Sequence, residues 1–202
     1  MIAIVDYGRG NLFGLSHALA HIGMASAITS EPAALDTADL IILPGVGAFG
    51  PAKADLDRRG MTPALLAAAK KGVPILGICL GMQLLMDESH EFGRHAGLGL
   101  IAGSVRRLPA GAVRIPNVGW RRLYATGNDP VFSEFDGMMG YFNHTFGAEA
   151  SNAHDVALTI SVNGMAIAAS VRRKNISGFQ FHPEKSGPRG LQLLAHAIRQ
   201  ST

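Results

Sequence analysis

Cys79, the one cysteine among 202 residues, stands in the stretch Val73-Pro74-Ile75-Leu76-Gly77-Ile78-Cys79-Leu80-Gly81-Met82-Gln83. The apolar run before it, with a valine and two isoleucines, reads as a buried strand. Met82, Gln83, Leu84, Leu85 and Met86 read as a helix. A strand, a tight turn and a helix therefore meet at a nucleophilic side chain. Gly77 and Gly81 flank Cys79 at two positions on either side, where a side chain would clash in a sharp elbow. Such a turn pushes the sulfur out at the carboxyl end of the strand. It also sets the sulfur at a helix start, where partial positive charge favours an anion. A buried structural cysteine is the commoner fate of a free thiol; the paired glycines favour a nucleophile.

A cysteine nucleophile needs a base, and the base needs an orienting group. Eight histidines are available. His182 is the best placed, because it follows the apolar strand Ser177-Gly178-Phe179-Gln180-Phe181 and Pro183 stiffens the turn after it. Glu184 is near enough to orient the imidazole and stabilise its charged form. Cys79, His182 and Glu184 then make a nucleophile, a proton shuttle and an orienter. His17, His21, His90, His95, His154 and His196 are read mostly as surface or satisfied core residues. One cysteine and scattered histidines offer no metal-ligand spacing, so neither a metal nor a cofactor is expected. Attack on a carbonyl creates an oxyanion that needs N–H donors. The backbone N–H of Leu80 is one candidate. That of Val46, between the glycines of Pro44-Gly45-Val46-Gly47, is the other; a plain turn is the bland alternative for that loop.

The elements that must carry these groups follow from the pattern. Ile2–Asp6, Ala25–Thr29 and Leu40–Leu43 read as strands, separated by a helix with Leu12, Leu15, Leu19 and Ile22 at helical spacing. Asn11 can cap that helix and Gly23 ends it. Pro51 suits the first turn of a helix, and Pro63 is expected to divide the region between Pro51 and Lys71 into two pieces. Strands alternating with helices predict an α/β fold: a three-layer, mostly parallel open sheet with helices on both faces. Ligands bind at the carboxyl ends of such strands, where Pro44-Gly45-Val46-Gly47 and Cys79 both lie. The C-terminal half predicts a small antiparallel region. Gly99–Ile101, Val105–Leu108, Arg114–Trp120 and Met138–Phe146 read as short strands. Val156–Val162 and Met165–Arg173 around Asn163-Gly164 give the plainest hairpin signal. Leu191, Leu194 and Ile198 suit a closing helix.

Composition bounds the classes. Apolar residues make up 48% and charged ones 16%, so the chain is a folded globule, read as one domain over residues 1–202. No apolar run reaches membrane-spanning length, the N-terminus carries no signal peptide, and one cysteine excludes an internal disulfide; a cytoplasmic protein is expected. The formal charge is only +3. The basic clusters at Arg106-Arg107, Arg114, Arg121-Arg122 and Arg172-Arg173-Lys174 lack interleaved aromatics and a nucleic-acid motif, so they read as solvated strand ends and loops.

Gly77-Ile78-Cys79-Leu80-Gly81-Met82-Gln83 together with His182-Pro183-Glu184-Lys185-Ser186 resembles the class I glutamine amidotransferases. Asp6-Tyr7-Gly8-Arg9-Gly10-Asn11, Pro44-Gly45-Val46-Gly47-Ala48-Phe49, Gly119-Trp120 and Tyr141-Phe142-Asn143-His144-Thr145-Phe146 narrow the resemblance to the glutaminase subunits of imidazole glycerol phosphate synthase, in histidine biosynthesis. The match runs in order through nearly the whole chain. It implies that Cys79 attacks the side-chain amide of L-glutamine, forming a thioester and releasing ammonia, which passes to a (β/α)-barrel cyclase subunit in a heterodimer. That cyclase makes imidazole glycerol phosphate and an aminoimidazole carboxamide ribotide. It also implies that Gln83 and Glu91 hold the amino-acid end of the substrate with Gly47 and Thr145 nearby, and that Asn11, Asn117, Trp120 and Lys185 lie toward the partner. Some positions depart from the family pattern. Asn117 stands for a usual histidine with Val118 beside it, Arg121 for an asparagine, Asn143 for an apolar residue and Phe146 for a tyrosine. These departures keep open a paralogue feeding another synthase, such as one aminating a nucleotide sugar. A non-catalytic regulatory module of the same fold is the further alternative, against which the intact Cys79, His182 and Glu184 argue.

Overall fold

The computed structural model describes residues 1–111, 114–127 and 129–201. The first half alternates as expected. Strand β1 (Ile2–Val5) leads to helix α1 (Leu12–His21), β2 (Ser26–Thr29) and β3 (Leu40–Leu43). Helices α2 (Phe49–Arg58) and α3 (Met61–Lys70) precede β4 (Ile75–Ile78) and the short α4 (Leu80–Leu84). The second half contributes β5 (Met86–Ser89), β6 (His95–Ala96), β7 (Ile101–Arg107), β8 (Asn117–Arg122), β9 (Tyr124–Ala125) and α5 (Pro130–Ser133). Then come β10 (Met139–His144), β11 (Phe146–Ala150), β12 (Val156–Val162), β13 (Met165–Arg173), β14 (Ile176–Phe179) and α6 (Gly187–Arg199).

The main sheet has the order β2-β1-β3-β4-β14-β13-β12-β9. It is parallel from β2 to β14 and antiparallel beyond. Leu40-Ile41-Ile42-Leu43 shows why its central strands are apolar without alternation. Ile41 and Leu43 join a core with Phe49, Leu56 and Leu65 of α2 and α3, while Leu40 and Ile42 join one with Leu15 and Leu19 of α1 and Leu194 and Ile198 of α6. A parallel strand covered by helices on both faces buries every side chain. Just inside the edge strand β9 lies the hairpin β12–β13 read from Asn163-Gly164: Val162 pairs Met165, and both turn residues have positive φ, as a two-residue hairpin turn of this type requires. Among the described residues no helix is long and apolar enough to cross a membrane.

Several expectations shift. The break between α2 and α3 falls at Gly60, which takes a left-handed φ of 68°, and not at Pro63. Pro63 sits in the first turn of α3, where its missing N–H has no intrahelical partner to lose. The helix after Cys79 stops at Leu84, and Met86 already belongs to β5. Gly99–Ile101 and Val105–Leu108 are not two strands; Ile101–Arg107 is continuous, passing through Gly103 at φ 143°. A Cβ on Gly103 would lie 2.3 Å from the Glu149 carbonyl oxygen, so the close strand pairing admits only glycine there. Met138–Phe146 is also not one strand. It divides at Thr145 into β10, paired with β8 in a two-stranded sheet, and β11, paired with β7 in the four-stranded sheet β11-β7-β5-β6.

Candidate active site

Cys79 sits between β4 and α4 with φ 55° and ψ −109°, a backbone conformation that a residue with a side chain rarely adopts. The glycines on either side make it possible. A Cβ on Gly77 would stand 2.7 Å from backbone atoms of Gly81 and Met82, and one on Gly81 would stand 1.8 Å from the Leu43 carbonyl oxygen. The elbow is therefore wedged between its own helix and β3. Cys79 as a whole is almost fully buried.

His182 follows β14, the neighbour of β4 in the sheet. Parallel pairing of these strands brings residues a hundred positions apart together at their carboxyl ends. The loop that carries His182 is tied down twice. The His182 N–H donates to the Tyr141 carbonyl at 3.0 Å, and Ser186 Oγ donates to the His182 carbonyl at 2.6 Å while accepting from the Tyr141 N–H. Ser186 was not singled out from the sequence, since one serine at a helix start carries no signal of this bridge. His182 Nδ1 lies 2.9 Å from Glu184 Oε1, and both side chains are buried. Burial opposes charge on the ring. Hydrogen bonds to Cys79 and Glu184, with their negative charges, outweigh it and hold the pKa up to about 9. The imidazole is thus an imidazolium at neutral pH, already carrying the proton that a leaving group needs.

A pocket of about 300 Å³ opens over the sulfur. Its walls bring together Val46, Gly47, Cys79, Leu80, Gln83, Glu91, Thr145 and His182, all singled out from the sequence. Leu80 opens α4, so its N–H is one of the unpaired donors of a helix start. The Val46 loop is anchored at its start, where the buried Tyr7 hydroxyl donates to the Pro44 carbonyl at 2.9 Å, while Val46 and Gly47 are exposed. Glu91 Oε2 accepts the Phe49 N–H at 2.7 Å, which ties β5's exit to the start of α2 beside that loop. Asn143, His144 and Phe146 complete the opposite wall.

That wall is polar but neutral. His144 Nδ1 lies 2.8 Å from the Phe146 carbonyl, which fixes the proton on Nδ1 and leaves Nε2 to accept from Asn117 Nδ2 at 2.9 Å. Asn117 Oδ1 in turn accepts from Arg121 Nε at 2.7 Å. Burial pushes the His144 pKa down to about 4, only partly offset by the Phe146 carbonyl and reinforced by the nearby charges of Arg121 and His182. Asn117 and Arg121, two of the positions that depart from the family pattern, therefore bond to each other. Asn117 is completely buried, so it does not itself form an outer surface. Asn11, Trp120 and Lys185 do. Asn11 caps α1 through the Gly14 N–H and stays exposed, and the Trp120 ring meets Tyr141 edge-on. Among the described residues no three His, Cys, Asp or Glu side chains cluster as metal ligands.

The description of class-I glutamine amidotransferases as a family matches residues 3–200. The chain is similar to "Imidazole glycerol phosphate synthase subunit HisH" of Wolinella succinogenes, at 45% identity over 96% of this chain and 97% of that protein. It is similar to the protein of the same name from Lactiplantibacillus plantarum at 43% identity, over 96% of this chain and 93% of that one. Among solved structures, PurLQS from Thermotoga maritima matches with a TM-score of 0.76 at 23% identity, covering 100% and 98% of the two chains. A structure titled as a glutamine amidotransferase matches with a TM-score of 0.76 at 18% identity, covering 98% and 99%. At those identities the two structures speak for the fold.

Proposed function

The chain belongs to the class I glutamine amidotransferases, and we propose that it is the glutaminase subunit of an imidazole glycerol phosphate synthase, hydrolysing L-glutamine and handing the ammonia to a cyclase subunit. The observation that supports the reading is one pocket lined by Cys79, by the His182 imidazolium and by Leu80 and Val46, whose N–H groups are the candidate donors. Cys79 Sγ attacks the side-chain carbonyl of glutamine, and the oxyanion is met by the N–H groups of Leu80 and Val46. His182 gives its proton to the departing nitrogen, which leaves as ammonia. In the second half, His182 takes a proton from water as the water attacks the thioester, glutamate leaves, and the electron pair of the broken C–S bond returns to sulfur. Glu184 holds the ring through Nδ1 so that Nε2 faces the reaction.

The partner in this reading is a (β/α)-barrel cyclase. Phe13 on α1 is 77% exposed, Val118 is 51% exposed and Trp120 49%, and Lys185 is exposed as well. Helix α1 and β10 both pack beside the turn Pro183–Lys185, and β8, which carries Val118 and Trp120, pairs with β10, so in this reading these exposed side chains belong to one belt at the strand ends. An apolar belt of this kind is the ordinary signature of a docking face. The test is synthesis by the reconstituted pair. Cys79→Ala is expected to abolish imidazole glycerol phosphate formation from glutamine and to keep it from added ammonium salt at high pH. Loss of the ammonia-driven reaction in a complex that still forms would overturn the scheme.

A further inference from the structure

Two side-chain amides lie buried beneath the sulfur, and neither the triad nor the oxyanion donors account for one of them. Gln180 follows β14 and is completely buried; Gln83, on α4, is nearly so. A single carbonyl fixes how both are turned. The Phe146 carbonyl oxygen can only accept, and Gln83 Nε2 lies 2.9 Å from it, so the Gln83 amide must present its NH2 there. The second proton of that NH2 points at Gln180, whose Oε1 lies 3.0 Å away. Gln180 must therefore offer its oxygen to Gln83, and its own NH2 faces the other way, toward Cys79 Sγ at 3.9 Å. The same carbonyl also takes the His144 Nδ1–H, so both of its lone pairs are used and the order of donors cannot reverse without leaving two buried donors or two acceptors opposed.

We propose that Gln180 is a further catalytic residue of this reaction, donating its Nε2–H to Cys79 Sγ whenever the sulfur carries negative charge. That happens before attack and again when the C–S bond of the thioester breaks and its electron pair returns to sulfur. His182 handles every proton; Gln180 gives none up. Its contribution is a neutral dipole held in a water-poor place, aimed before the charge appears. The Phe146 carbonyl, through Gln83, acts as the positioning group.

The inference rests on Cys79 as the nucleophile, and its test reads the sulfur without glutamine, so failure of glutamine turnover and failure of this proposal are separate results. The rate of Cys79 alkylation by iodoacetamide is measured on the full chain at pH 6.5 and pH 9.5. Gln180→Met is expected to be about tenfold slower than wild type at pH 6.5 and equal to it at pH 9.5, since a donor matters only while proton and sulfur compete. Gln180→Glu, which turns a carboxylate toward the sulfur, is expected to be slower still at pH 6.5. In glutamine hydrolysis the Met variant should lose kcat with little change in KM. Wild-type alkylation at pH 6.5 in Gln180→Met, or equal slowing at both pH values, would overturn the proposal. Should both variants fail to fold, Gln83→Met decides it: releasing the Gln180 amide from its anchor should also slow the reaction at pH 6.5, and an unchanged rate would refute the orientation argument.

Discussion

His182 and His144 face the same pocket from different sheets, and burial acts against charge on both, yet one is held protonated and the other neutral. His182 stands at the end of β14 in the main sheet, between a thiol and a carboxylate. His144 ends β10 in the two-stranded sheet, between a backbone carbonyl and an asparagine, with Arg121 one step behind. Burial sets the cost of a charge, and the chemistry of the partners decides whether it is met. The consequence is a division of labour. The wall built on the main sheet moves protons, and the wall built on β8, β10 and β11 holds neutral dipoles in place.

The comparison breaks most visibly at the histidines. His182→Ala should lower glutamine kcat by about 10³- to 10⁴-fold, because it removes both acid and base. His144→Phe should cost less than about tenfold in kcat, because that ring holds a carbonyl and transfers nothing. Steady-state glutamate release measures both, and equal losses would erase the distinction between the walls. Glu184→Gln should fall between them, at about a hundredfold, by leaving the ring in place with its positive charge unsupported. It should also move the alkaline limb of the rate profile to lower pH, while in wild type that limb lies near pH 9, where His182 loses the proton meant for ammonia.

Stability against pH sharpens the contrast with opposite signs. The folded state holds the His182 proton more tightly than the unfolded chain, so this contribution is complete below about pH 6.5 and is lost as pH rises through about 9. For His144 the folded state binds the proton less tightly, so its contribution is present above about pH 6.5 and is lost as pH falls toward about 4. Urea midpoints of wild type against His182→Ala should converge on the alkaline side, and those against His144→Phe on the acid side. The smallest effect belongs to Arg121→Ala. Removing one half-buried donor from Asn117 should cost about 1 kcal/mol of stability, read by the same urea titration, with glutamine KM almost unchanged.

The charged wall was legible in the sequence. Gly77, Cys79 and Gly81 announce the elbow, and His182 and Glu184 are two residues apart, so one turn brings them together. The neutral wall was much less so. Asn117, Arg121, His144 and Phe146 stood out only as members of matched segments or as departures from a family pattern. Nothing in their types showed that Arg121 and Asn117 bond to each other. Their contacts depend on the register that sets His144 opposite Asn117 across β10 and β8. Gln180 was passed over for the same reason, since a glutamine in an apolar strand end says nothing about which way its amide turns.

Sequence alone determined what short-range sterics dictate. The glycine-flanked elbow, the Asn163-Gly164 hairpin and the doubly buried strand Leu40–Leu43 each follow from residues within a few positions of one another. Tertiary structure decided everything that needed a distant partner. It broke the helical region at Gly60 and left Pro63 inside the first turn of α3, and it split the run Met138–Phe146 at Thr145 between two sheets. It buried Asn117 and gave His182 and His144 opposite charge states. The physical reason is range. A backbone clash is settled by the nearest neighbours in the chain, whereas a buried hydrogen bond or a shifted proton is settled by whichever strand the sheet brings alongside.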